Sequence, residues 1–131
     1  MLFRSGNFSG NLLSDFDKLF QKLPNLFPNE KPALLHGDLW SGNFLAKNGD
    51  TPMLIDPAIY YGNREIDIAM SKLFGGFNSD FYFAYNESHP LENGWEERIQ
   101  ICNLYPLLVH VNLFGGAYIN QVKNILSYYV G

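Results

Sequence analysis

Cysteine is almost absent from this chain. The single thiol in 131 residues, Cys102, has no partner for an intrachain disulfide, so no cross-linked framework is available. That agrees with a reducing compartment, and the cytoplasm is the expected location. Basic residues are also few, with nine Lys and Arg against thirteen Asp and Glu, a formal net charge of -4. A nucleic-acid binder carries a basic stripe, and none is present. Nothing approaches the roughly 18 uninterrupted apolar residues that span a bilayer, and Met1-Leu2-Phe3-Arg4 lacks the apolar stretch of a secretory signal. Neither nucleic acid nor membrane is therefore an expected partner. What the chain does have is apolar and aromatic. Hydrophobic residues make up 47% and aromatics 16%, with only 17% charged, which excludes disorder and low complexity. A single domain spanning residues 1–131 is expected, since a chain of this size buries about two-thirds of its unfolded surface.

The spacing of Leu12, Phe16, Leu19, Phe20 and Leu23 predicts an amphipathic helix over 12–23, ended by Pro24 and Pro28. Ala33-Leu34-Leu35 is a short apolar run leading into His36-Gly37-Asp38. Phe44–Ala46 and Met53–Ile55 are two further runs separated by Asn48-Gly49 and Pro52, which predicts a hairpin turning between Gly49 and Asp50. The remainder reads as helical. One helix covers 66–74 and stops at Gly75-Gly76. A second, rich in Phe and Tyr, is capped by Ser79 and runs to about Ser88. A third is capped by Asn93 and runs from Gly94 to about Leu113, with Pro106 either kinking it or opening a new helix. Tyr118, Val122, Ile125, Leu126 and Tyr129 mark a final amphipathic helix. The expected class is α+β and mainly helical, around one small hairpin.

The chemistry concentrates at His36, Asp38, Asn43 and Asp56. Asn43 stands just before the first hairpin strand and Asp56 just after the second, so pairing brings both to the open end. Asp38 lies on the loop feeding the first strand. Few, hard oxygen donors of this kind suit magnesium that keeps several waters and shares phosphate oxygens. They do not suit zinc. A nearby carboxylate free of metal orients or deprotonates an attacking hydroxyl. Taken singly, an Asp before a turn is usually a turn or cap residue, and a His beside an apolar run is more often a satisfied core residue than a catalyst. Taken together, His36-x-Asp38-x-x-x-x-Asn43 followed by Ile55-Asp56 has the order and spacing of kinase catalytic and metal loops.

The stretch Leu34-Leu35-His36-Gly37-Asp38-Leu39-Trp40-Ser41-Gly42-Asn43 resembles the catalytic loop of the fructosamine kinase (ketosamine-3-kinase) family. This family falls within the aminoglycoside-phosphotransferase and choline-kinase group of kinase-like folds. The segment from Ile55-Asp56-Pro57 through Asp67-Ile68-Ala69-Met70 also resembles it, as do Leu73–Phe77 and Leu104–His110, so the likeness runs from about residue 33 to about 120. It implies the C-terminal, large lobe of a protein-kinase-like fold, with the hairpin carrying the catalytic and metal loops. The activity it implies is ATP-dependent phosphorylation of a sugar hydroxyl on a fructosyl-amine or related ketosamine, with ATP and Mg2+ as cofactors.

The same resemblance implies roles for individual residues. Asp38 becomes the catalytic base, Asn43 and Asp56 the metal ligands, and His36 a brace for the catalytic loop. Asp67 either hydrogen-bonds the backbone of that loop or is a helix-start carboxylate favoured by the dipole. Trp40, Tyr60, Tyr61 and Arg64 are candidates for the sugar side, with core packing the alternative for the aromatics and pairing to Glu65 or Asp67 the alternative for Arg64. No residue corresponds to the glycine-rich loop or phosphate lysine of a kinase N-terminal lobe. Self-association or a separate N-terminal lobe is therefore expected. A non-catalytic remnant or interaction module, and an aminoglycoside- or choline-kinase-like phosphotransferase, are the competing readings.

Overall fold

A computed structural model describes residues 10–131, which divide into two compact units, residues 10–28 with 103–131 and residues 29–102. Asn7 and the rest of the first nine residues lie outside the described part.

In the first unit the apolar spacing becomes α1 (Gly10–Leu26), which buries Leu12, Phe16 and Leu19. The helix does not stop at Pro24 as expected but continues to Leu26. Pro24 sits in the last turn, where its missing N–H forfeits only the bond to the carbonyl of Phe20, an exposed residue whose carbonyl water can serve. The predicted long third helix is two helices, α4 (Trp95–Cys102) and α5 (Leu104–Phe114). Pro106 lies in the first turn of α5, where a missing donor is tolerated. Gly94, with φ of +83°, cannot belong to α4, so that helix starts one residue late. Leu104, Leu107, Leu108 and Val111 of α5 are buried, as are Val122, Ile125 and Leu126 of α6 (Ile119–Val130), and α6 packs on both α1 and α5. Burying each such side chain is worth about 1.5–3 kcal/mol.

The second unit carries two two-stranded antiparallel sheets rather than one hairpin. β1 (Ala33–Leu35) pairs with β4 (Tyr60–Gly62), setting Leu35 opposite Tyr60. β4 escapes sequence reading because three residues show no period and their partner is distant in the chain. β2 (Phe44–Lys47) pairs with β3 (Thr51–Leu54), and a 3-10 turn (Ser41–Asn43) precedes them. The hairpin register is one residue from the expected one. Lys47 pairs with Thr51, so the turn is centred on Gly49. Asn48 and Gly49 both adopt left-handed conformations, φ +55° and +83°, which these two residue types adopt at least cost.

α2 (Glu65–Leu73), α3 (Ser79–Ser88) and α4 complete this unit. The cap of α3 is Asn78 rather than Ser79, since Asn78 Oδ1 accepts the Phe81 N–H at 3.2 Å. Tyr82 ties α3 to the end of α2, with its hydroxyl 3.0 Å from Ser71 Oγ and accepting the Phe77 N–H at 3.2 Å. α2 and α4 are clamped by a bidentate ion pair, Arg98 Nε and Nη2 donating to Glu65 Oε2 and Oε1 at 2.8 and 2.7 Å. Glu65 is only 2% exposed. The Glu65 hydrogen bonds hold the Arg98 pKa above its ordinary value against the opposing effect of burial.

Candidate active site

The loop after β1 turns sharply because Gly37 adopts φ of +83°. A Cβ there would strike the carbonyl of Ala58, so the position excludes every other residue type on two counts. This close approach joins two loops. His36 O accepts the Ala58 N–H at 2.8 Å, and His36 Nε2 lies 2.9 Å from Ile55 O. His36 Nδ1 accepts the Asp38 N–H at 3.2 Å. A carbonyl only accepts and a backbone N–H only donates, so these partners require the imidazole proton on Nε2 and the lone pair on Nδ1. His36 thus links the loop of Asp38 to the residue preceding Asp56.

Asn43 is buried, 7% exposed, at the end of the 3-10 turn. Its Nδ2 donates to Asp38 O at 2.9 Å and to Asp38 Oδ2 at 3.1 Å. Both acceptors are oxygens, so the amide nitrogen faces Asp38 and the Oδ1 atom is left to serve a cation. On the other side, Asn43 O accepts the Ile55 N–H at 2.9 Å. Asp56 follows at once, exposed and in a left-handed conformation, φ +50°. A non-glycine residue held there outside a tight turn is strained by about 1–3 kcal/mol, a cost that clusters at functional sites. The His36 ring, the Asn43 amide and the main-chain bond from Ile55 to Asn43 therefore tie together the segments that carry His36, Asp38, Asn43 and Asp56.

Asp67, in the first turn of α2, anchors the assembly from below. Its Oδ2 accepts the His36 N–H at 2.7 Å and its Oδ1 the Gly37 N–H at 3.0 Å. Two charge-assisted bonds to consecutive amides define both position and orientation of the loop.

The remaining candidates are dispersed. The Trp40 indole lies over Gly42, where a Cβ would overlap its six-membered ring. Tyr60 and Tyr61 stand on β4, Tyr61 with 73% of its surface exposed. Arg64 pairs with neither Glu65 nor Asp67, because Arg98 occupies the first and the loop amides the second. It binds Glu30 instead, at 3.2 Å through Nε and Nη2, and donates to the carbonyls of His89 and Pro90 at 2.8 and 2.6 Å. Four bonds to protein acceptors make Arg64 a brace between segments. Sequence reasoning missed Ala58, which acts through its backbone and leaves no side-chain signal. It also missed the steric demand at Gly37, for which the glycine itself was the available signal.

The donor set fits magnesium. Asn43 Oδ1 and the exposed Asp56 carboxylate are hard oxygens, and two protein ligands suit an ion that draws its others from water and phosphate. Among the described residues no group of three or more His, Cys, Asp and Glu forms a complete metal cage.

Comparison with known proteins places these features in a family. The family model described as fructosamine kinase matches residues 4–130. A protein of Lactiplantibacillus plantarum named "Probable ketoamine kinase" is 52% identical over 99 residues, covering 76% of this chain and 35% of that protein. The ketosamine-3-kinase of Mus musculus is 44% identical over 107 residues, covering 80% and 34%. A solved structure from Thermobifida fusca, provisionally titled a fructosamine-3-kinase, superposes with a TM-score of 0.85 at 40% identity, over 95% of this chain and 44% of that one. The chain thus spans less than half the length of these relatives.

Proposed function

This chain belongs to the fructosamine kinase family, and we propose that it is the catalytic lobe of an ATP-dependent kinase that phosphorylates a sugar hydroxyl of a fructosyl-amine or related ketosamine. Its fold is the mainly helical, C-terminal part of a protein-kinase-like fold. In this reading the Asp38 carboxylate takes the proton of the attacking hydroxyl, whose oxygen bonds to the γ-phosphorus as the bond to ADP breaks. Asn43 Oδ1 and Asp56 would hold a magnesium ion, which when bound would offset phosphate charge. Asn43 also restrains the base, since its Nδ2 holds Asp38 Oδ2 at 3.1 Å. His36 and Asp67 position the loop. Trp40, Tyr60 and Tyr61 supply aromatic surface toward the sugar, while Arg64 keeps the framing segments in place.

The observation that supports this reading is the double linkage of Asn43, by side chain to Asp38 and by main chain to Ile55, the residue before Asp56. The test is ADP release from Mg-ATP with and without a fructosyl-amine. It compares the chain with its Asp38→Ala variant, alone and grafted into the L. plantarum relative in place of the matching stretch. Fructosyl-amine-dependent release that the substitution abolishes is expected in the graft. Equal background from both proteins in both settings would overturn the reading and favour a non-catalytic remnant. Release that follows an aminoglycoside or choline instead would move the substrate class.

A further inference from the structure

Two Asn-Gly pairs are exposed in the second unit and take no part in the candidate site, Asn48-Gly49 in the hairpin turn and Asn93-Gly94 before α4. Such a pair is open to self-reaction, because glycine has no side chain to shield its backbone nitrogen from the carboxamide beside it, and the attack is intramolecular. The two pairs sit in opposite surroundings. Gly49 N–H donates to Ala46 O at 3.3 Å, inside a turn fixed by the pairing of Lys47 with Thr51, and among the described residues nothing donates to Asn48 O. Gly94 N–H, by contrast, has no acceptor among the described residues, whereas Asn93 O accepts from Arg98 Nη1 at 2.9 Å. The guanidinium lies over this peptide closely enough that a Cβ on Gly94 would stand 3.0 Å from Nη1.

We propose that Asn93-Gly94 is a self-modification site, at which Arg98 promotes the conversion of Asn93 to aspartate and isoaspartate. Water or hydroxide removes the Gly94 N–H proton. Peptide resonance places the resulting negative charge largely on Asn93 O, the atom that Arg98 Nη1 already faces. The Gly94 nitrogen then attacks Asn93 Cγ. A bond from Cγ to that nitrogen forms, the bond from Cγ to Nδ2 breaks, and Nδ2 leaves as ammonia with the proton that the base returns. Water opens the cyclic imide at either carbonyl. In sum, one Asn and one water give one Asp or isoaspartate and one ammonia, and nothing is oxidised or reduced. Glu65 grips the other edge of the guanidinium through Nε and Nη2, and the Arg98 side chain is only 11% exposed, so the donor is in place before charge develops. In the isoaspartate product the former main-chain carbonyl is a free carboxylate facing Arg98. It competes with Glu65 for the cation that clamps α2 to α4. This chemistry stands apart from the catalytic-lobe reading and holds whether or not the chain transfers phosphate.

The test ages the full chain at pH 8 and follows both pairs by peptide mapping, with isoaspartate scored by mass spectrometry. Asn93 should convert at least about tenfold faster than Asn48, the worth of one charge-assisted hydrogen bond to a developing anion at a partly solvated position. In concentrated urea the two rates should converge to within about threefold, since both pairs are then solvated chain. Arg98→Met combined with Glu65→Leu leaves no buried charge unpaired and should slow Asn93 by about tenfold with Asn48 unchanged. The unchanged Asn48 rate reports that the variant is folded. If Asn48 accelerates, the variant has unfolded, and the native rate ratio of the parent against its ratio in urea decides alone. Equal native rates at the two pairs, a ratio that urea leaves unaltered, or an Asn93 rate indifferent to the loss of Arg98 in a folded variant would each overturn the proposal.

Discussion

The carboxylate of Asp67 holds the backbone of His36, thirty-one residues earlier in the chain, by accepting its N–H at 2.7 Å while the second oxygen takes the N–H of Gly37 at 3.0 Å. One side chain on a helix thereby sets the loop on which Asp38 stands. Both oxygens are used, so the group cannot be replaced by an amide without setting a donor against a donor.

Asp67→Asn should therefore lower stability by about 1–3 kcal/mol, the cost of one misdirected, partly buried donor. Urea unfolding measures the loss. Hydrogen exchange at the His36 and Gly37 amides should accelerate well beyond the rest of the second unit. Unchanged protection at those amides would remove the anchoring role.

Asp56→Gly should separate stability from function. Glycine accepts φ of +50° without strain, and that relief outweighs its extra chain entropy by at most about 1 kcal/mol. Tm should hold or rise slightly, while calorimetric titration with Mg-ATP in the graft described above should lose the metal-dependent component. A fall in Tm of several degrees would mean that Asp56 is structural.

Arg98→Met strips the cation from a carboxylate that is only 2% exposed. Breaking one side of a buried, bidentate pair costs about 3–5 kcal/mol. The double variant Arg98→Met with Glu65→Leu should regain most of that loss in the same denaturation assay, because the uncompensated charge is then gone. A single variant as stable as the parent would refute the clamp between α2 and α4.

Desolvation by burial, with the charge of Glu65 adding and that of Arg98 opposing, pushes the Cys102 thiol up to about 12 from an ordinary 9.0. Below pH 9 both folded and unfolded chains keep the proton, so stability is unaffected there. Between about pH 9 and 12 the unfolded chain ionises first, and stability is lost as pH rises. Cys102→Ala should flatten that alkaline decline relative to the parent, as read by denaturation at several pH values. At pH 8 the folded thiol should alkylate roughly 1,000-fold more slowly than the unfolded one from thiolate fraction alone.

Much of this molecule was legible without coordinates, for local reasons. Apolar residues at helical spacing marked α1 and α6 because one buried face imposes that period. Asn48-Gly49 marked the hairpin because few other pairs take two left-handed conformations in succession. The order His36, Asp38, Asn43, Asp56 pointed to the site because short loops and one hairpin leave those residues little freedom to separate.

Other features depended on contacts between distant segments, which carry no local pattern. The pairing of β1 with β4 joins residues such as Ala33 and Gly62 that share no periodic signal. Pro24 looked like a helix end and was not, since the cost of a missing donor depends on whether its acceptor meets water. Arg64 had two acids within reach by sequence, Glu65 and Asp67, and packing gave it Glu30 instead, because both were already claimed. Residue types and their spacing determined which candidate groups lie near one another and roughly where they gather. The tertiary structure decided which of them are spent on holding the others still, because a hydrogen-bond donor or acceptor is assigned only when the competing partners have taken their places.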